Sequence, residues 1–286
     1  MLYEAKNSFS NSRFSLIKVK SKIYLRKIPL KFNDREYQSI KKQNNFKSYY
    51  INGFKVESAK INFVNKLKNN FYLVEFFEGK TGDQILLTGN KEEIKILNFF
   101  LNDYISKRIS EELVYRDKKL IKEKFKLIQK SKNFKKIKNA KEIIDMFNKL
   151  IKKKLYKFKN VECHGDLTLS NIIINKKLKK IILFDFLSNY DENIIQDLSK
   201  IFQEFNLFWT SRKLDSIGKL RSEIIYNSII SKNFWKQFDK KLTPSLKIEF
   251  LITVLRIVPY VKYDDHNTFN WISKSIYNIK KFSIPK

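Results

Sequence analysis

The residues of this chain best suited to chemistry lie between positions 164 and 185. The stretch 164–171 reads His-Gly-Asp-Leu-Thr-Leu-Ser-Asn, and Asp185 follows fourteen residues after Asn171. Mg2+ takes carboxylate and amide oxygens from proteins, keeps several waters, and takes its remaining oxygens from a nucleotide's phosphates. Asn171 and Asp185 are therefore candidate magnesium ligands, and Asp166 is a further carboxylate that could face a transferred phosphoryl group.

The sequence between Asn171 and Asp185 predicts a β-hairpin. Apolar residues follow Asn171 and precede Asp185, and a polar Asn-Lys-Lys turn separates the two apolar runs. A turn centred near Lys177 and Leu178 would bring Asn171 and Asp185 opposite each other at the open end of the hairpin. An isolated Asp after a strand is usually a turn residue or a helix cap, so the prediction depends on the whole set of residues.

His164, Asp166 and Asn171 also have the spacing of a kinase catalytic loop. In such a loop one carboxylate accepts the proton of the attacking hydroxyl, and an amide oxygen five residues further on ligates magnesium. Asp166 is then the candidate base, and Asp185 supplies a second metal ligand.

The segment 163–200 resembles the catalytic core of the aminoglycoside phosphotransferase and choline kinase family, small-molecule kinases with a protein-kinase-like fold. The resemblance implies Asp166 as catalytic base, Asn171 and Asp185 as magnesium ligands, and His164 as an organiser of the loop. It extends to the stretch Gln-Asp-Leu-Ser-Lys that contains Asp197. We expect Asp197 to be structural, either capping a helix or holding the catalytic loop.

Length and composition agree with an enzyme of this kind. The chain has 286 residues, 43% of them hydrophobic and 15% aromatic, enough for a core in each of two lobes. It has no run of eighteen apolar residues, and its amino terminus lacks the apolar core of a signal peptide, so we expect a cytoplasmic protein without a membrane span. Cys163 is the only cysteine, which excludes an intrachain disulfide and a multi-thiolate zinc site; a buried thiol is the favoured interpretation.

The formal net charge of +30 is the second conspicuous feature of the sequence. Concentrated on one face, this charge would favour a nucleic acid or an anionic membrane as partner. The lysines are instead spread along the whole chain, which favours biased composition over specific nucleic-acid binding. Acidic residues gather inside the catalytic segment and suit a divalent metal: Glu162, Asp166, Asp185, Asp191, Glu192 and Asp197.

The order of predicted elements is that of a kinase amino-terminal lobe followed by a helical lobe. Strands are predicted at 14–19, 22–28, 48–54, 58–64 and 70–77, and a helix at 33–42. Helical periodicity starts near Lys91 and continues through the lysine-rich stretch 106–160 and through 194–208 and 246–260. We therefore predict an α+β, two-lobed protein-kinase-like fold, in which a small antiparallel sheet with one helix (1–79) binds the nucleotide and a mainly helical lobe (80–286) carries catalysis and substrate binding.

A kinase needs a cation on the strand before the helix and a carboxylate on that helix to orient it. Arg26 and Lys27 are the candidate cations, and Glu36 is the candidate carboxylate. Adjacent strand residues face opposite ways, so one of the two bases points into the cleft. The family's Tyr-Leu-Lys or Leu-Arg strand favours Arg26, with Lys27 as the alternative; both could also be ordinary exposed bases.

The nucleotide-binding loop departs from the usual glycine-rich pattern, because no glycine precedes Gly53. The polar turn 7–13 stands in its place and resembles the Ser/Thr-Asn turn of some choline-kinase-like proteins, so Ser10 and Asn11 are candidate phosphate-binding residues. The run 71–79 resembles the family's hinge, in which the backbone of Glu75 and Phe76 would bind adenine.

The acceptor of the phosphoryl group is left open by the sequence. A cluster of carboxylates and tryptophans would suit a cationic amino alcohol or an aminoglycoside, whereas Arg212 with polar partners would suit a sugar or a phosphorylated substrate. The candidate acceptor-binding residues are Trp209, Arg212, Asp215, Glu249, Asp264, Asp265 and Trp271.

These observations predict an ATP- and Mg2+-dependent phosphotransferase that acts on a hydroxyl of a small molecule. Two alternatives belong to other classes. A nucleotide-binding pseudoenzyme is suggested by the missing glycines and by an arginine where a lysine is usual, and a basic nucleic-acid-binding protein is suggested by the net charge.

Overall fold

The structure, a computed structural model, describes residues 4–5, 13–29, 32–65, 71–109, 112–159, 161–188, 191–229, 234–262 and 265–285. The chain forms two compact units. Unit 1 consists of Met1–Gly82 with Leu169–Asn189, and unit 2 of Asp83–Thr168 with Tyr190–Lys286. The boundary drawn from the sequence after residue 79 lies close to Gly82, but the segment Leu169–Asn189 groups with unit 1.

The described strands are β1 (Glu4–Ala5), β2 (Arg13–Val19), β3 (Lys22–Ile28), β4 (Tyr49–Ile51), β5 (Phe54–Ser58), β6 (Ile61–Asn65), β7 (Phe71–Glu75), β8 (Lys80–Thr81), β9 (Leu113–Tyr115), β10 (Tyr156–Phe158), β11 (Ile172–Asn175) and β12 (Lys180–Leu183). The described α-helices are α1 (Asp34–Asn45), α2 (Gly82–Thr88), α3 (Lys91–Ser106), α4 (Lys119–Gln129), α5 (Ala140–Lys152), α6 (Ile194–Phe205), α7 (Ser216–Ile229), α8 (Thr243–Leu255) and α9 (His266–Lys281).

The first sheet of unit 1 is antiparallel and has the strand order β1-β2-β3-β7-β6. The strands predicted at 14–19 and 22–28 are confirmed as β2 and β3, which form an antiparallel hairpin with Lys20 in its turn at a φ of 54°. The predicted helix is confirmed as α1, whose amino-terminal cap Asn33 accepts a hydrogen bond from the amide of Glu36. α1 packs on the sheet through Ile40, beside Tyr72 and Val74.

The second sheet of unit 1 has the order β4-β5-β12-β11-β8. β12 pairs in parallel with β5, with Ile182 beside Glu57 and Leu183 beside Ser58, and this pairing is why the segment after Thr168 belongs to unit 1. The strand predicted at 48–54 is wrong in extent. β4 ends at Ile51, and Asn52 and Gly53, with φ angles of 46° and 78°, form the turn to β5.

Unit 2 is mainly helical, as predicted. α6 is buried along its whole length and packs on α8, with the rings of Phe202 and Phe250 stacked at 3.9 Å between centroids. α8 ends at Leu255, before Pro259, which lies in the short 3₁₀ turn Val258–Tyr260. Within unit 2, β9 and β10 form an antiparallel pair that the sequence analysis did not predict, because it assigned 106–160 to amphipathic helix alone.

Among the described residues, no helix has both the length and the apolar content that crossing a bilayer requires.

Candidate active site

The loop that carries Asp166 is fixed in unit 2 by hydrogen bonds to Asp197 on α6. The amides of His164 and Gly165 donate to the two carboxylate oxygens of Asp197 at 2.6 and 2.7 Å, and the Tyr104 hydroxyl donates to Oδ2 at 2.9 Å. Gly165 has a φ of 85°, a conformation that suits glycine. Asp197 therefore holds the loop that carries Asp166. It does not cap α6, because Asn193 is the cap of that helix.

The carboxylate of Asp166 is held between two cations of unit 2. Lys200 Nζ on α6 and Arg256 Nη2 at the end of α8 lie 2.9 and 2.7 Å from the same oxygen, Asp166 Oδ1. Burial on its own would raise the pKa of Asp166, but the charges of Lys200 and Arg256 outweigh it and hold the pKa well below the usual range. Asp166 is therefore ionised at neutral pH.

Neither cation was predicted from the sequence to be a site residue. Lys200 belongs to the stretch Gln-Asp-Leu-Ser-Lys and lies three positions after Asp197 on the same helix, so helical spacing places the two side chains on one face. Arg256 lies 90 residues from Asp166 in the chain, and no sequence pattern pointed to it.

Unit 1 contains a second charged cluster, built around Lys27 on β3. Lys27 Nζ lies 2.6 Å from Asp185 Oδ1 and 3.6 Å from Glu36 Oε1, and the Tyr72 hydroxyl donates a hydrogen bond to Glu36. Burial favours the neutral amine, but the negative charge of Asp185 and the neighbouring Tyr72 and Glu36 raise the pKa of Lys27 above its usual value. Lys27 is a buried ammonium that two carboxylates hold in place.

The predicted pairing of Arg26 with Glu36 is corrected by this geometry, because Lys27 forms the ion pair. The Arg26 guanidinium lies over the Phe71 ring, 4.4 Å from its centroid. In the register of β3 with β7, Lys27 is opposite Tyr72 and Arg26 is opposite Leu73. Adjacent strand residues project to opposite faces, so this register decided between the two bases.

Asn171 and Asp185 lie at the open end of the hairpin that β11 and β12 form. The turn is centred between Lys177 and Leu178, as predicted, but the register places Phe184 opposite Asn171, where its amide donates to the Asn171 carbonyl at 3.2 Å. The prediction that Asp185 lies directly opposite Asn171 is thus wrong by one residue. Asp185 has a φ of 58°, which ends the extended alternation of the strand.

The two side chains offer a carboxylate and an amide, hard oxygen donors of the kind that suits Mg2+. The Asp185 side chain is 43% exposed and therefore accessible to a ligand. Among the described residues, no group of three His, Cys, Asp or Glu could hold a metal without outside ligands. The donor set fits a magnesium ion that takes most of its ligands from water and phosphate.

The remaining candidates for nucleotide binding have mixed outcomes. Ser10 and Asn11 lie outside the described residues. The amide of Glu75 donates to the Lys60 carbonyl at 2.9 Å, and the amide of Phe76 donates to the Ile23 carbonyl at 3.3 Å. Both amides are therefore hydrogen-bonded within unit 1 and are not available to donate to an adenine.

Four of the candidate acceptor-binding residues lie close together in unit 2. Trp209 packs edge-to-face on Trp271 with 4.8 Å between centroids, and the Arg212 guanidinium lies 3.4 Å from the centre of a Trp209 ring. Asp265 caps α9, and its charge acts on Arg212, whose pKa burial lowers to about 10.

The other three candidates are not part of this cluster. Glu249 forms a buried ion pair with Arg116, which also binds Asp191 at 2.6 Å. Asp215 accepts a hydrogen bond from the amide of Gly218 in the first turn of α7, and Asp264 lies outside the described residues.

Part of the chain is similar in sequence to a known protein family. The sequence model of the ecdysteroid kinase-like family matches residues 90–204, which include the Asp166 loop, Asp185 and Asp197. No curated protein matches the chain in sequence.

Solved structures of small-molecule kinases match almost the whole chain. Plasmodium vivax ethanolamine kinase is 16% identical, with 98% of this chain and 81% of that chain covered and a TM-score of 0.52. A choline/ethanolamine kinase family protein from Mesorhizobium loti is 11% identical, with 98% and 87% covered and a TM-score of 0.52. A thermostable mutant of the aminoglycoside phosphotransferase APH(4)-Ia, in ternary complex with ADP and hygromycin B, is 8% identical, with 98% and 92% covered and a TM-score of 0.59.

At these identities the structural matches show the fold, and the family model adds a sequence similarity over residues 90–204. Together they confirm the predicted resemblance: the chain has the protein-kinase-like fold of the aminoglycoside phosphotransferases and the choline and ethanolamine kinases.

Proposed function

We propose that this chain is an ATP- and magnesium-dependent phosphotransferase that moves the γ-phosphoryl group to a hydroxyl of a small molecule. The observation that carries the proposal is the cluster of Lys27, Asp185 and Glu36, with Lys27 Nζ 2.6 Å from Asp185 and 3.6 Å from Glu36. A buried ammonium beside an exposed carboxylate combines a phosphate-binding cation with a metal ligand, the two groups that a kinase requires at its nucleotide.

In this proposal the residues of unit 1 bind the nucleotide. Lys27 binds phosphate oxygens, Glu36 orients Lys27, and the Tyr72 hydroxyl holds Glu36. Asp185 and Asn171 hold magnesium, which when bound neutralises charge on the phosphates. The other candidates for nucleotide binding are Ser10, Asn11, Glu75 and Phe76. Lys27 takes the role that the sequence suggested for Arg26.

Asp166 acts on the acceptor. The hydroxyl oxygen bonds to the γ-phosphorus, the bond between that phosphorus and the bridging oxygen of ATP breaks, and ADP keeps the electron pair. The hydroxyl proton passes to the Asp166 carboxylate. Because Lys200 and Arg256 hold the pKa of Asp166 well below its usual range, the carboxylate is a weak base, and the proton moves late, as suits a loose phosphoryl-transfer transition state.

The proposed acceptor is a hydroxylated small molecule, and the proposed compartment is the cytoplasm, which supplies ATP and magnesium. Three classes are supported by the names of similar proteins: amino alcohols by the ethanolamine and choline/ethanolamine kinases, aminoglycosides by the complex with hygromycin B, and hydroxylated steroids by the ecdysteroid kinase-like family. Sugars remain a fourth class, because Arg212 lies among the candidate acceptor-binding residues.

The test is ATP consumption by the purified protein with magnesium across these four classes. We expect one class to raise turnover and Asp166→Asn to abolish it while ATP binding is retained. Lys27→Met should lower kcat/KM for ATP by about 10²–10³-fold, the loss typical of one charged group at a reacting centre. Arg26→Met is the matched control, because the adjacent base packs on Phe71.

Three outcomes would contradict the proposal. Equal turnover by Asp166→Asn and wild type would remove Asp166 as the base, and equal losses in Lys27→Met and Arg26→Met would remove the role of Lys27. Magnesium-dependent ATP binding without turnover on any acceptor would favour a nucleotide-binding pseudoenzyme.

A further inference from the structure

The contacts of Asp166 contain more positive charge than its carboxylate requires. Lys200 Nζ and Arg256 Nη2 both lie within 2.9 Å of Asp166 Oδ1, where one cation would neutralise the single negative charge. The three side chains carry a net charge of +1, and Glu204, whose carboxyl also acts on Lys200, offsets this charge only when it is ionised. The Lys200 side chain is 5% exposed and the Arg256 side chain is 27% exposed, so neither cation is fully hydrated.

Both cations also have hydrogen-bond donors beyond those that the fold uses. Among the described residues, the Arg256 guanidinium donates one hydrogen bond, to Asp166, although a guanidinium has five N–H donors. Lys200 contacts Asp166 and the side-chain oxygen of Gln203 at 3.1 Å, and an ammonium has three donors. Oriented donors in excess, next to a carboxylate at a reacting centre, are the arrangement that binds an oxyanion.

Holding two cations together is unfavourable for the protein alone. Burial and the charge of Arg256 together lower the pKa of Lys200 to about 8, against the opposite effects of Asp166 and Glu204. Replacing either cation by an apolar side chain would relieve this repulsion and still leave Asp166 paired. The arrangement therefore favours a ligand that brings additional negative charge over a purely structural role.

We propose that Lys200 and Arg256 are further catalytic residues, which bind the oxygens of the phosphoryl group while it passes from the nucleotide to the acceptor hydroxyl. This inference rests on the proposed function. The phosphorus–oxygen bond to ADP breaks, the bond to the acceptor oxygen forms, and the proton goes to Asp166, as above. The two cations bind the three phosphoryl oxygens throughout the transfer, because negative charge is spread over these oxygens in the transition state.

The decisive measurement needs no knowledge of the acceptor. ADP affinity is measured by calorimetry with magnesium, with and without aluminium fluoride, which occupies the place of the transferred phosphoryl group. Wild type should bind ADP at least about tenfold more tightly with aluminium fluoride. In Arg256→Met and Lys200→Met this tightening should disappear, while the affinity for ADP alone stays within about threefold of wild type; each variant removes donors to the transferred group.

Matched variants separate a catalytic role from a structural one. Lys157→Met is the control, because the Lys157 side chain is 30% exposed and pairs with a different aspartate, Asp191, at 2.8 Å. It should keep the tightening. Arg256→Lys should restore part of it, since a cation is restored without the guanidinium geometry. Should Lys200→Met fail to fold, the Arg256 variants decide, because that side chain is the more exposed of the two.

The outcomes distinguish this inference from the proposed function. Wild type that does not bind ADP with magnesium would overturn both. The inference alone would be overturned by a different result. In that case aluminium fluoride tightens ADP binding equally in wild type, Arg256→Met and Lys200→Met. With an acceptor in hand, both variants should lose about 10²–10³-fold in kcat with little change in KM for ATP.

Discussion

Glu204 provides the sharpest test of the electrostatics in unit 2. It lies on α6 one turn beyond Lys200, is 1% exposed, and accepts a hydrogen bond from Thr210 Oγ1 at 2.7 Å. Burial raises the pKa of Glu204 from 4.5 to about 7, although the Thr210 hydrogen bond and the charge of Lys200 act in the opposite direction. Ionised Glu204 should therefore lower the stability of the fold at neutral pH.

The sign and the size of this effect follow from linkage. The unfolded carboxyl titrates near 4.5 and the folded one near 7, so the folded state binds more protons between these values and stability falls as the pH rises through that window. Each pKa unit corresponds to about 1.4 kcal/mol, which gives a cost of about 3 kcal/mol above pH 7. At pH 5 the cost is below about 1 kcal/mol, because the folded carboxyl is still protonated.

Glu204→Gln removes the charge and keeps an oxygen that can accept from Thr210. We expect it to raise the free energy of unfolding by about 3 kcal/mol at pH 7.5 and by less than about 1 kcal/mol at pH 5. Urea unfolding followed by tryptophan fluorescence at both pH values measures the difference. Glu223→Gln on α7, which replaces an exposed glutamate, is the control and should change neither value.

Two results would refute this reasoning. An equal gain at both pH values would show that Glu204 does not titrate between them. A loss of stability at pH 7.5 would show that attraction between Glu204 and Lys200 exceeds the cost of burial, so that the pair is a stabilising one.

Two further substitutions test other parts of the structure. Asp185→Asn keeps a residue that tolerates the φ of 58°, and we expect it to abolish the magnesium dependence of ADP binding in calorimetry; a retained dependence would exclude Asp185 as a ligand. Arg116→Met leaves the buried carboxylates of Asp191 and Glu249 without this partner, and it should lower the free energy of unfolding by about 3–5 kcal/mol in urea. Lys157→Met should lower the free energy of unfolding by about 1 kcal/mol or less. An equal loss in both variants would contradict the idea that burial makes the Arg116 ion pairs costly to break.

Much of the local structure could be predicted from short-range patterns. The β2–β3 and β11–β12 hairpins, the position of α1 after its Asn33 cap, and the apolar stripes of unit 2 all follow from side-chain periodicity and turn chemistry. The turn at Asn52 and Gly53 could be predicted in the same way, because Asn-Gly is a strong hairpin signal. The strand predicted at 48–54 nevertheless included both residues. The β9–β10 pair was missed because each strand is three residues long and lies beside strongly periodic helices.

The sequence by itself predicted the groups that we propose to react. The spacing of His164, Asp166 and Asn171, and the Asp185 that follows the hairpin, can be read without coordinates because a loop and a hairpin are local structures.

Only the tertiary structure decided which charges surround those groups. The register of β3 against β7 selected Lys27 over Arg26, and the packing of α8 brought Arg256 to Asp166 across 90 residues of chain. Periodicity states which side chains share a face of one element, whereas a contact between elements depends on how the whole core packs.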